Sequence, residues 1–93
     1  MIVGVLTAHL HMQGITSLKQ KRSIVKSVIG RLKSRFNVSV AEVDRHENKV
    51  YAVIGMSMVS NETRYINQKF DKIIEFMQGD GRFYLGQVER ETF

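Results

Sequence analysis

Apolar side chains recur along this chain at two different periods, and the order in which those periods alternate restricts the fold more than anything else in the sequence. From Ile2 to Met12 the residues alternate as in a strand, with Ile2, Leu6, Ala8, Leu10 and Met12 on one side and Val3, Val5, Thr7, His9 and His11 on the other. "QGITS" breaks the alternation and offers Ser17 as a helix N-cap, whose hydroxyl can accept from an amide of the first turn. From Leu18 the period becomes helical. Leu18, Val25, Val28, Ile29, Leu32 and Phe36 fall within about 100° of one another at about 100° per residue, which predicts a buried stripe. "NVSVAEV" (37–43) and "VYAVIGMSMVS" (50–60) are β-branched and alternating, and the polar "DRHENK" between them predicts a hairpin. A second helix follows, capped by Ser60 or Asn61 with Glu62 in its first turn. Its core stripe is Ile66, Phe70, Ile73, Ile74 and Met77, and "GDG" ends it. "RFYLGQVERETF" reads as a last strand.

The resulting order is βαββαβ. It predicts an α+β, ferredoxin-like sandwich: a four-stranded antiparallel sheet with two helices on one face, as a single domain over residues 1–93. The chain lacks cysteine, so no disulfide frame or thiolate metal site is available, and it contains no apolar run long enough to span a bilayer. A cytoplasmic protein without a membrane association is the expectation. The fold hosts enzymes, RNA-binding modules and ligand sensors alike and selects no function.

Charge is more selective. The net charge is +5, yet residues 1–40 carry seven lysines and arginines and no acidic residue at all. An imbalance of this kind points to a polyanionic partner. The topology would gather His11, Lys19, Lys21, Arg22, Arg45, His46, Lys49 and Arg82 at one end of the sheet, diluted by Asp44, Glu47 and Asp80, and Lys19, Arg22, Lys26 and Lys33 lie within about 60° of each other along the first helix. Cations at a helix N-terminus oppose the macrodipole, and a bound anion reverses that penalty. The candidate phosphate or nucleic-acid site is therefore Thr16, Ser17, Lys19, Lys21, Arg22, Lys26 and Lys33. The alternative is a solvated basic face, or pairing with carboxylates elsewhere in the fold. No Walker loop accounts for it, because no glycine precedes a Lys-Ser/Thr pair in "GITSLKQK".

The sheet face away from the helices should carry Val5, Thr7, His9, His11, Tyr51, Val53, Tyr84 and Val88. Such a mixed, substantially apolar surface suits a second subunit or a stacked planar ligand, and the candidate interface residues are Thr7, His9, His11, Tyr51, Val53 and Tyr84. "KVYAVIGMSMV" does not match the aromatic-rich RNA-recognition motif, so a homodimer ranks above base stacking. Evidence for catalysis is thin. His9 and His11 sit about 6–7 Å apart on one strand face and His46 could approach them, but no metal-ligand spacing accompanies them. "GMSMV" lacks the second glycine of a nucleophile elbow; Val38 and Val40 place Glu42 and Asp44 partly inward, but a strand end reaching solvent is the preferred reading. No catalytic residue, metal or cofactor is implied.

"SLKQKRSIVKSVIGRLKSRFNVSVAEVD", followed by "AVIGMSMVSNE", resembles the YlxP-like family, small bacterial proteins grouped as a domain of unknown function. The resemblance covers nearly the whole chain. It implies a ferredoxin-like fold and a link to RNA or the ribosome, and it matches the basic helix start Ser17, Leu18, Lys19, Lys21 and Arg22 and the second-helix cap Ser60 and Asn61. The expectation is a non-enzymatic RNA- or ribosome-associated protein. The alternatives are a homodimeric interaction module using the open sheet face and a regulatory domain for a small anionic ligand.

Overall fold

β1 (Ile2–Met12), α1 (Leu18–Arg35), β2 (Ser39–Asp44), β3 (Tyr51–Ser60), α2 (Thr63–Gln78) and β4 (Phe83–Thr92) follow one another in a computed structural model that describes residues 1–93. All strand pairs are antiparallel, in the spatial order β2-β3-β1-β4, and the sheet has the ferredoxin-like arrangement that the order of periods predicts. β1 is central because it can pair on both sides and bury one face completely: Leu6, Ala8 and Leu10 are wholly inaccessible. Ala52, Ile54, Met56 and Met58 of β3 continue that face, and Val25, Val28 and Leu32 of α1 with Ile66, Phe70, Ile73 and Met77 of α2 cover it. Gly4 is where α2 comes closest. A β-carbon there would strike Ile66 and lie 3.1 Å from the Phe70 ring, so only glycine admits the helix.

The first helix starts as its sequence demands. Ser17 has extended backbone and its Oγ accepts from the Gln20 amide at 3.1 Å, while Gln20 Oε1 accepts from the Thr16 amide at 2.9 Å. This is a capping box displaced by one residue. The second helix departs from expectation. Its N-cap is Glu62, with no side-chain capping bond; Ser60 Oγ instead accepts from the Glu62 amide at 3.2 Å, and Asn61 makes no capping bond.

Two register shifts decide which side chains face where. On β4 the pairing with β1 shifts between Ala8 and Leu10, so Val88 stands opposite Ala8 and packs on the core, and Glu89 stands opposite Thr7. Val88 therefore does not belong to the open face, where strict alternation from Tyr84 had put it; one extra residue inverts every later position. On β2 the shift falls between Glu42 and Asp44. Glu42, two residues after the buried Val40 and before the shift, pairs with the core residue Ile54 and points toward the helices rather than out past a strand end, whereas the shift sets Asp44 opposite Val53 on the other face.

Candidate anion-binding surface

The seven cations of α1 divide by position on the helix. Lys21, Val25, Val28 and Leu32 form its buried row, at one-turn spacings, and Lys21 is completely inaccessible. A lysine tolerates that only if its ammonium is paired and hydrogen-bonded. Its Nζ donates to Glu42 Oε2 at 2.7 Å and to the Arg45 carbonyl at 2.8 Å, fixing two of its three protons. Lys21 thus clamps α1 to the far end of β2, and its removal from the expected phosphate site is a correction to the sequence reading. The spacing contained the signal, since Lys21 is one turn before Val25, but residue type concealed it. Glu42 was passed over for the matching reason: alternation from the buried Val40 places it on the core face, and its charge argued for solvent.

The cap also occupies groups that were expected to greet an anion. The Thr16 amide and hydroxyl both donate to Gln20 Oε1, at 2.9 and 3.3 Å, and Ser17 Oγ takes the Gln20 amide. Thr16 and Ser17 therefore build the helix start. Arg82, expected at the same end of the sheet, grips Asp80 through Nε at 2.7 Å and Nη2 at 2.8 Å, and donates to Ser27 Oγ at 3.1 Å. These hydrogen bonds hold the Asp80 carboxyl below its ordinary value of 3.8 and outweigh the burial that pushes it up; Asp80 in turn raises Arg82.

Lys19, Arg22, Lys26 and Lys33 remain exposed, along one outer strip of the helix. Only Arg22 has an acidic neighbour in reach, Glu47, at 3.7 Å with both side chains largely in solvent. The structure therefore brings Lys19, Arg22, Lys26 and Lys33 to one surface and takes Lys21 away from it.

Across the sheet, His9, His11, Tyr51 and Tyr84 meet at the end of the open face. The His11 ring stacks on Tyr84, with centroids 4.7 Å apart and planes 4° from parallel, and stands edge-on to Tyr51 at 4.7 Å. Tyr51 Oη lies 2.5 Å from His9 Nδ1, and His9 Nε2 lies 3.3 Å from Glu89 Oε1, which suits a hydroxyl donating to Nδ1 and an Nε2–H donating to the carboxylate. The Arg45 guanidinium lies 5.4 Å from the centre of the Tyr51 ring, and Arg45 itself has φ of 65°, a left-handed conformation that turns the chain toward β3. His46 does not join the other histidines: its Nε2 reaches the Glu42 carbonyl at 3.0 Å. Thr7 is half-buried mid-face. Val53 lies on this face opposite His9 but is only 5% exposed, so it supports its neighbours and offers no contact surface.

The family model described as protein of unknown function (DUF503) matches residues 3–90, from the start of β1 nearly to the end of β4. The chain belongs to the DUF503 family. A DUF503 match of this extent takes in the α1 strip and the open sheet face alike. The chain is also similar to the uncharacterized protein YlxP of Bacillus subtilis (strain 168), with 26% identity over 61 residues, 66% of this chain and 66% of that protein's length. No helix of this DUF503 protein is long and apolar enough to cross a membrane.

Proposed function

We propose that this DUF503 protein is a non-enzymatic RNA-binding protein, acting on free or ribosomal RNA, that grips backbone phosphates with Lys19, Arg22, Lys26 and Lys33. One observation supports the reading above the rest. The fold neutralises Lys21 and Arg82 with dedicated carboxylates, yet gives this strip of α1 only the solvent-exposed Glu47 beside Arg22. Unpaired cations spaced along a helix suit a repeating anion, and exposed lysines make such contacts at little cost in folding. The test is the dependence of RNA affinity on salt. Replacing Lys19, Lys26 and Lys33 by glutamine should reduce the slope of log affinity against log salt by about 2, at about 0.7 per lost phosphate contact on a single strand. An unchanged slope would remove the strip from the binding site.

A second reading is a homodimer formed through the open sheet face. Val43, Val59, Tyr84 and Phe93, four of the seven exposed large apolar side chains, favour it because they lie on that face. Sedimentation equilibrium decides it, and a strict monomer at high concentration ends it.

A further inference from the structure

A groove of about 720 Å³ runs between the second half of α1 and α2, closed at one end by the turn into β4. Four of its lining residues are cations: Arg31 and Arg35 one turn apart on α1, Lys69 and Lys72 one turn apart on α2. Like charges at that spacing work against each helix, and two such pairs facing one groove compound the repulsion. The fold supplies little relief. Asp80 also lines the groove and attracts Arg31 at longer range, but Arg82 holds both of its oxygens. Glu75, the other carboxylate there, forms no ion pair, and none of the four cations has a carboxylate within ion-pair distance. The groove is also partly preorganised: the Arg35 guanidinium lies over the Phe76 ring, 4.8 Å from its centre, and Phe76 is braced edge-on by Phe36 at 6.1 Å.

We infer that this groove is a binding site for a short polyphosphate, carried by a free nucleotide or by the triphosphate end of an RNA. The volume falls within the range of small-ligand clefts. Arginine presents a planar fork that matches two phosphate oxygens at once, and lysine adds a point charge, so two of each around one cleft suit a group bearing several oxyanions. A singly charged anion would leave most of the repulsion in place. The groove lies on the side of α1 turned toward α2, whereas Lys19, Arg22, Lys26 and Lys33 lie on the outer side, so this site uses none of the residues of the proposed RNA strip and does not depend on it.

The experiment is an amide NMR titration of the full chain with inorganic pyrophosphate, then with ADP, and with one RNA bearing either a 5′-triphosphate or a 5′-hydroxyl. Pyrophosphate should shift the Phe76, Gly79 and Asp80 amides saturably. Arg31→Gln/Lys72→Gln should weaken that binding about tenfold or more, because charge-assisted hydrogen bonds are lost. Lys26→Gln/Lys33→Gln should leave it unchanged while weakening the 5′-hydroxyl RNA. Tighter binding of ADP than of pyrophosphate identifies the free nucleotide as the source, and a preference for the triphosphate end over the hydroxyl end identifies RNA. Failure of the RNA strip alone would appear as lost sensitivity to Lys26→Gln/Lys33→Gln with the pyrophosphate response intact. The inference is overturned if none of the phosphate probes shifts the groove amides, or if the shifts persist in Arg31→Gln/Lys72→Gln with that variant's thermal unfolding unchanged.

Discussion

The inner and outer rows of α1 carry cations in the same 18-residue helix, and the fold treats them in opposite ways. On the inner row Lys21 is sealed from water against Glu42. On the outer row Lys19, Lys26 and Lys33 have no acidic partner, and Arg22 has a solvent-exposed one. Net charge is blind to this distinction. A surplus of lysine and arginine becomes an argument for an anionic partner only after the residues that the protein neutralises for its own architecture have been subtracted, and here the subtraction moves the candidate site from the helix start to its outer strip.

The comparison breaks most visibly at Lys21. Lys21→Ala should destabilise the protein by about 3–5 kcal/mol, because it strands the Glu42 carboxylate and the Arg45 carbonyl beneath α1. For a domain of this size that is a fall in Tm of roughly 10 °C or more. The paired change Lys21→Met/Glu42→Leu should recover most of the loss, since a well-packed apolar pair can replace a buried ion pair at little net cost. Thermal unfolding of the three proteins checks both halves. A Lys21→Ala protein as stable as the parent would mean that the ammonium is not held by the fold and belongs with the outer row after all.

Asp80 sharpens the same comparison through pH. Its carboxyl is held below 3.8 in the folded state, so the Arg82 contact contributes stability that is complete above that ordinary value and is lost as pH falls through the lower folded value. Asp80→Asn should cost about 2 kcal/mol at neutral pH, in the range of hydrogen bonds to charged groups. The gap in Tm between parent and variant should then close on acidification below about pH 4. A gap of constant size between pH 7 and pH 2 would show that the carboxylate charge plays no part in it.

What the sequence made legible follows from which signals are periodic. The strand and helix periods and the core faces of β1 and α2 are repeated over many residues, and all appear in the structure, as does the Ser17 cap, which residue type marks at the point where the period changes. Single-residue events are different. The bulge that sends Val88 to the core and the irregularity that follows Glu42 and sets Asp44 opposite Val53 each involve one position, and each reverses the faces of the residues after it. For the site, the outer strip was readable from helical spacing, and so was Lys21, whose place one turn before Val25 outranks its hydrophilic character. The groove between the helices was not readable, because Arg31 and Arg35 meet Lys69 and Lys72 only through the packing of two helices that are distant in sequence.

The smallest effect divides the outer row itself. Lys26 follows Arg22 by one helical turn, so Lys26→Gln removes a like-charge repulsion and should stabilise the protein by about 0.2–0.5 kcal/mol, opposite in sign to Lys21→Ala. Arg22→Gln removes the same repulsion but also gives up Glu47. That pair is 3.7 Å apart with the side chains 60% and 86% exposed, a geometry worth about 0–1 kcal/mol, so the two losses should nearly cancel. Denaturant unfolding with both variants measured side by side resolves the difference. If Arg22→Gln instead proves clearly destabilising, Glu47 neutralises Arg22 as Glu42 neutralises Lys21, and Arg22 leaves the anion-binding strip.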